Sequence, residues 1–186
     1  KRKPATVSDA YFLEQMLTRH AKALGQFCGA GVAPILQKRI IEYFANETSS
    51  PFIRPAVEQH SQNHRWEHSA NALVESLRDV LLAWVDVEPT KAQTFIAGMI
   101  DGENDMIRRI GLYLIDQRWG QLSDIYNQKL KPELFSPLHI HELYNLLKNN
   151  FADFSEELKA ATLDVLQNLP PDRKSTRLTS SHRIRS

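Results

Sequence analysis

Apolar side chains recur along most of the chain at intervals of three and four residues. Four stretches, 73–85, 92–100, 140–151 and 158–169, have this spacing, which places the apolar residues on one side of an α-helix. Their apolar positions are Leu73, Leu77, Val80, Leu81 and Trp84; Ala92, Phe95, Ile96, Met99 and Ile100; Ile140, Leu143, Tyr144, Leu147 and Phe151; and Leu158, Ala161, Val165, Leu166 and Leu169. No stretch alternates apolar and polar residues between hairpin turns. The pattern therefore predicts an all-α protein.

Capping residues and prolines set the predicted helix bounds. Ser136 and the proline after it predict one helix start, and Ser155 followed by two glutamates predicts another. Pro34 and Pro89 mark two more starts, and the glycine-rich stretch 25–31 predicts a C-cap and turn. The predicted helices are 8–27, 34–46, 69–86, 90–101, 105–117, 119–130, 137–150 and 155–169.

The connections between these helices are short, which predicts antiparallel hairpins stacked side by side. The pairs at 90–117 and 137–169 resemble two copies of one unit, separated by an extra helix. Such units bury their apolar faces only by stacking on neighbours. About eight helices arranged as a fragment of an α-solenoid are therefore expected. A compact, irregular helical domain is the alternative.

The stretch DGENDMIRRIGLYLID, which begins at Asp101, resembles the middle of a HEAT repeat. Asp101 stands at the turn between two helices, Asn104 and Arg108 lie at the start of the second helix, Gly111 is small and Leu114 falls in the core. The resemblance implies that the polar turn residues cap the helix and that an arginine reaches turn carbonyls or an acidic group of the next repeat. It also implies close helix approach at Gly111. The acidic residues are therefore interpreted as turn and capping groups rather than catalysts.

Three segments are similar to the helical region downstream of the nucleotide-binding core in large bacterial STAND-type P-loop NTPases. They read SPFIRPAVEQHSQNH, LVESLRDVLL and FIAGMIDGENDMIRRIGLYLI. Some of these NTPases act in antiphage defence. The resemblance implies a cytoplasmic, non-enzymatic scaffold or sensor segment of a longer protein, with the phosphate chemistry elsewhere and a protein as its partner. No Walker motif is present, so no catalytic residue is carried over and no cofactor is expected.

Composition adds two limits. The hydrophobic fraction of 42% and charged fraction of 24% are ordinary for a globular protein, and no apolar run approaches the roughly 20 residues that span a bilayer. Cys28 is the single cysteine and cannot form an internal disulfide, which fits a reducing cytosol. It is interpreted as a buried or half-buried inert thiol.

The two ends differ in character from the helical region, 8–171. Residues 1–7 are interpreted as a linker or a cut edge. Residues 172–186 predict a disordered basic tail, and part of it resembles the translation of a sequencing adapter, so it is interpreted as read-through; a genuine basic arm is the alternative. Without the tail's five basic and one acidic residue, the formal net charge falls from +1 to −3. The body thus lacks the overall basic footprint of a nucleic-acid binder, although a nucleic-acid-binding helical repeat remains an alternative function.

Three histidines form the main candidate for metal chemistry. His60, His64 and His68 follow one another at intervals of four residues and would share one side of a continuous helix. Imidazoles so placed bind Zn²⁺ or similar ions, with Glu58 or Glu67 as a further ligand. A metal-dependent helical protein is therefore a second alternative. The competing interpretation is a solvated polar loop, because the intervening residues are polar on all sides.

A second cluster is a candidate protein-binding site on the concave face of the array. Tryptophan and arginine are enriched at binding hot spots. The candidate residues are Arg108, Arg109, Arg118 and Trp119. The alternative is that Trp119 anchors the core while the arginines are solvated or pair with Asp105 and Asp116.

Overall fold

A computed structural model of the chain describes residues 10–45, 56–58 and 68–169. This part of the chain is all-α, as predicted, with no strand. Its helices are α1 (Ala10–Ala45), α2 (His68–Val87), α3 (Pro89–Asp101), α4 (Asp105–Gln117), α5 (Trp119–Lys129), α6 (Ile140–Asn150) and α7 (Glu156–Gln167). Two 3₁₀ turns, Pro132–Phe135 and Phe151–Asp153, precede α6 and α7. No helix in these ranges is long and apolar enough to cross a membrane.

The break predicted between the first two helices is present but shorter than predicted. The chain is helical from Ala10 to Ala45 except at Cys28, where φ −139° and ψ 19° mark a kink between two helices, here described together as α1. The end predicted at residue 27 is therefore confirmed, whereas the turn predicted up to residue 33 is wrong because the second helix begins directly after Cys28. Pro34 lies inside this second helix, where it removes one backbone hydrogen bond.

Packing against α2 explains why the glycines belong to a helix. Ala21, Gly25, Gly29 and Ala33 recur every four residues and are all buried in α1. A Cβ at Gly25 would overlap the backbone of α2, and one at Gly29 would overlap the ring of Trp84. The small residues thus let the two helices approach closely, and this contact favours the helix over the turn that glycine prefers in isolation.

The four helices in the middle of the chain have nearly the bounds that the sequence predicts. The predicted helices 69–86, 90–101, 105–117 and 119–130 agree within one residue at each end with α2, α3, α4 and α5. The Asn104 side chain accepts a hydrogen bond from the Ile107 N–H at 3.1 Å and so caps α4, as the HEAT resemblance implied. A Cβ at Gly111 would lie 2.8 Å from Cδ1 of Ile100, which confirms the close approach of α3 and α4.

Helix α4 lies at the centre of the fold. It packs against α1, α2, α3, α5 and α6, and seven of its thirteen residues are buried. The second predicted hairpin is different, because α7 packs against the 3₁₀ turn Pro132–Phe135 more closely than along α6. Helices α3 and α4 form a hairpin, whereas α6 and α7 do not repeat it.

The predicted start of α6 is wrong, and its predicted buried side is confirmed only in part. Ser136 does not cap the helix; its hydroxyl accepts from the Leu138 N–H in a turn, and α6 begins at Ile140. Of the predicted apolar stripe, Leu143, Leu147 and Phe151 lie in or against the core, whereas Ile140 and Tyr144 are exposed. The buried residues of α6 are Glu142, Leu143, Leu146 and Asn150. The buried side is rotated because two polar residues in it have partners on α4.

Helix α7 begins as predicted, and its buried side differs. The Ser155 hydroxyl accepts from the Leu158 N–H at 3.2 Å, which confirms the cap. Ala161 and Leu166 are exposed, contrary to prediction. Thr162 is fully buried instead, with its hydroxyl 3.4 Å from that of Tyr126. A threonine can occupy this core position because its hydroxyl has a polar partner there.

Candidate functional site

Arg108 holds the turn between α3 and α4. Its Nε donates to the carbonyl of Ile100 at 3.1 Å, and a terminal nitrogen donates to the carbonyl of Gly102 at 2.6 Å. These carbonyls belong to the end of α3, where the helix leaves its last acceptors without internal partners. The resemblance to a HEAT repeat implied such an arginine, and its place is confirmed. The guanidinium is therefore a structural group of the turn.

Arg109 joins α4 to α6 through a buried ion pair. Its Nε and one terminal nitrogen donate to Oε1 of Glu142 at 2.9 and 2.8 Å. The side chains are only 11% and 3% exposed. The other carboxylate oxygen of Glu142 has no hydrogen bond within the described residues. The resemblance implied a contact to turn carbonyls or to an acidic group for Arg108 only, so the pairing of Arg109 with Glu142 was not predicted.

His139 lies beside this pair, at the N-terminus of α6, and is almost completely buried. Neither ring nitrogen makes a hydrogen bond of ordinary geometry within the described part of the chain. Burial lowers the pKa of the imidazole, and the positive charge of Arg108 lowers it further; the Leu134 backbone offsets only part of this. His139 is therefore a neutral core histidine.

Arg118 and Trp119, at the α4–α5 junction, are also used internally. Arg118 donates from two nitrogens to the two carboxylate oxygens of Asp86 on α2, at 2.8 and 3.1 Å, and holds the pKa of that carboxyl below its ordinary value. The half-buried indole of Trp119 stacks on Phe154 with a centroid separation of 4.7 Å and an interplanar angle of 13°. It also contacts the ring of Tyr126. These contacts join α5 to α2 and to the segment before α7.

The four residues of the predicted binding cluster all make contacts within the fold, and their role in binding a partner stays a prediction. Each of the three arginines has a partner within the fold, and none of these partners is Asp105 or Asp116. Asp116 accepts instead from the side-chain amides of Asn149 and Asn150. The polar residues around α4 act mainly as cross-links between helices.

Arg78 is a structural residue that the sequence analysis missed. It is 3% exposed and donates to both carboxylate oxygens of Asp79 at 2.7 and 3.0 Å. It also donates to the carbonyl of Val57 at 2.8 Å, which fixes residues 56–58 against α2. Asp79 is adjacent to it and Glu75 lies three residues before it, a pattern typical of an exposed charged side of a helix, so nothing in the sequence indicated that this arginine is buried.

Most of the predicted metal ligands lie outside the residues that the structure describes. His60 and His64 are not among the described residues, and His68 begins α2 but its side chain is not described. Within 10–45, 56–58 and 68–169, no group of three or more His, Cys, Asp or Glu residues could hold a metal ion. The tail at 172–186 also lies outside the described ranges.

An open groove lies beside the kink of α1. It has a volume of about 500 Å³ and is lined by residues 26–31 of α1 together with Val87 and Glu88 from the α2–α3 junction. Cys28 is exposed there, contrary to the prediction of a buried or half-buried thiol. Phe27, its neighbour, is 84% exposed. The kink thus leaves apolar surface in contact with water.

Large apolar side chains continue along the same side of α1, a surface here called the outer face of α1. Most of its members lie two positions from buried residues of α1 such as Ala21, Gly25 and Gly29, and so point away from α2. Met16 lies one turn before the next member of the face. The members are Met16, Arg19, Ala23, Phe27, Gly31, Ile35 and Lys38, all exposed. Met16 is 54% and Ile35 61% exposed. Phe27 lies two residues from both Gly25 and Gly29, a spacing that places it opposite the glycines on a helix. The sequence instead predicts a turn at these glycines, so it does not predict the exposed side.

Comparisons with known proteins give no relative from which a site can be transferred. No protein-family model matches the chain, and neither the curated proteins nor the solved structures yield a match.

Proposed function

We propose that the chain is a non-enzymatic helical scaffold or sensor segment of a larger bacterial protein, which recognises a protein partner through the outer face of α1. In this proposal the segment couples recognition to an NTPase or effector module elsewhere in the full protein. The coupling follows the resemblance to STAND-type NTPases. The position of the binding surface follows from the geometry of α1.

The observation that carries the proposal is the exposure of Phe27, Met16 and Ile35 on one side of a helix whose other side is fully packed. Exposed apolar residues are common singly, but three large ones on the same side of one helix, separated there only by Arg19, Ala23 and Gly31, favour an interaction surface. A groove beside Phe27 adds concave surface for a partner side chain. The arginines of α4, in contrast, are committed to contacts inside the fold.

Site-specific photo-crosslinking tests this proposal. A benzophenone amino acid placed at position 27 should cross-link to discrete protein partners in extract of the source organism. The same group at position 117, an exposed glutamine at the end of α4, provides the control because no apolar row surrounds it. Equal cross-linking from both positions, or none from position 27, would remove the support for α1 as the binding surface.

A further inference from the structure

The outward side of α7 carries a second exposed apolar patch, here called the outer face of α7. Leu158 and Thr162 point into the fold, so the residues on the opposite side of α7 point outward. The outer face consists of Glu156, Glu157, Ala160, Leu163, Asp164 and Leu166, all exposed. Leu163 is 47% and Leu166 39% exposed.

The outer faces of α1 and α7 have opposite charge. Near its apolar row α1 exposes three cations, Arg19, Lys38 and Arg39. Arg19 makes no salt bridge within the described residues, and the other two share the single carboxylate of Glu42.

Helix α7 exposes three acidic residues beside its leucines. Glu156 pairs with Lys159, whereas Glu157 and Asp164 have no salt bridge within the described ranges. Each outer face therefore combines an apolar centre with charge of one sign that the fold neutralises only in part.

We propose that the outer face of α7 in one copy of this chain docks on the outer face of α1 in a second copy. The proposal rests on the proposed function, since it names the partner of the same α1 surface. Phe27 would pack between Leu163 and Leu166, and Ala23 and Gly31 leave hollows on either side of Phe27 that suit the side chains of a facing helix. The acidic groups of α7 would then face the cations of α1.

Charge favours this pairing over a symmetric contact between two α1 helices. A symmetric contact would bring the cations of both copies together, and like charges at an interface are unfavourable. The α1–α7 contact is heterologous, because each copy uses two different surfaces. Copies can therefore add head to tail, and the size of the assembly should grow with concentration.

The contact is small. Helix α7 has twelve residues and is about 18 Å long at 1.5 Å per residue, so it covers roughly a third of the length of α1. Interfaces of this size lie at the weak, transient end of the known range. Part of the attraction is electrostatic between exposed groups, so salt should weaken it.

Sedimentation velocity of the full chain, over about a hundredfold range of concentration, tests the pairing by complementation. The wild type should form growing oligomers. Phe27→Asp removes the α1 surface and Leu163→Asp removes the α7 surface, so each variant alone should remain monomeric. In an equimolar mixture, the intact α7 surface of Phe27→Asp can still dock on the intact α1 surface of Leu163→Asp. The mixture should therefore form dimers that grow no further. Ile140→Asp, on the exposed side of α6, is the matched control and should associate like the wild type.

The contrary outcomes are distinct. Association of Leu163→Asp with loss in Phe27→Asp would show a symmetric α1 contact and overturn the proposal. A monomeric wild type throughout would also overturn it, while cross-linking from position 27 to another protein would leave the proposed function standing. If the wild type stays monomeric and position 27 cross-links to no protein, both the pairing and the proposed function are overturned. Binding to anionic phospholipid vesicles that Phe27→Asp abolishes, with no self-association, would assign the α1 surface to a membrane instead.

Discussion

The arginines of α4 have their particular partners because of where α3, α4 and α6 end and begin. Arg108 is placed over the final carbonyls of α3, and Arg109, one residue later and rotated by about 100°, faces α6. The resemblance to a HEAT repeat predicted the contact of Arg108 with the turn carbonyls and gave no contact for Arg109. It could not predict Glu142 as the acceptor, because that pairing depends on the rotation of a helix more than thirty residues away.

Removing one partner of the buried pair should be costly. Glu142→Ala leaves the guanidinium of Arg109 nearly buried without its carboxylate, so the free energy of unfolding should fall by about 3–5 kcal/mol in urea titration. Lys91→Ala breaks an exposed pair with Glu88 and should cost less than about 1 kcal/mol. Similar losses in the two variants would show that the Arg109–Glu142 pair is solvated.

His139 gives the fold a dependence on pH. Its folded-state pKa is lower than the ordinary 6.5 because of burial and Arg108, so the unfolded chain binds the proton more readily. Stability is therefore fully present above about pH 6.5 and should decrease as the pH falls below that value. Urea midpoints measured between about pH 7.5 and pH 5.5 should decrease in the wild type and much less in His139→Phe. Parallel curves for the two proteins would exclude His139 as the cause.

At the scale of elements, the sequence predicted helices best where local signals agreed with packing. The bounds of helices α2 to α5 were predicted within one residue, helped by the apolar spacing of α2 and α3 and by the Asn104 cap of α4. The glycines of α1 gave a local turn signal, and the contact with α2 limits the turn to a kink at Cys28. In α6 the apolar stripe was misleading because Glu142 and Asn150 gain partners on α4, which single-sequence spacing does not reveal.

Alanine substitutions at two glycines of α1 distinguish the effect of packing on stability from the effect of intrinsic helix propensity. A Cβ at Gly29 would overlap the Trp84 ring, so Gly29→Ala should destabilise the fold by about 1–3 kcal/mol. Gly31 has open space around its Cβ direction, so Gly31→Ala should stabilise by about 0.4–1 kcal/mol. Thermal unfolding measures both. Stabilisation by both substitutions would show that α1 and α2 are not in close contact at the kink.

Helix capping gives a smaller, local prediction. Asn104→Ala removes the side-chain acceptor of the Ile107 N–H and should lower stability by about 1 kcal/mol. Asn104→Asp keeps an acceptor at this helix N-terminus and should retain most of it. An equal loss in both variants, measured by urea titration, would count against the cap.

At the scale of the whole molecule, the all-α class follows directly from apolar periodicity. The predicted tandem array is not confirmed, since α4 packs against five other helices and α7 makes few contacts with α6. The outer face of α1 could not be predicted, because it is defined by which side of a long, kinked helix remains uncovered. That depends on the packing of α2, not on α1 alone.

The central claim is that the outer face of α1 is open within one copy of the chain and available to a partner. Hydroxyl-radical footprinting with mass spectrometry measures this directly. At low protein concentration Phe27 and Met16 should be modified rapidly and the buried Trp84 slowly, and the rate at Phe27 should fall as concentration rises. Protection of Phe27 equal to that of Trp84 at the lowest concentration would show that its own chain covers the face, and would contradict the account.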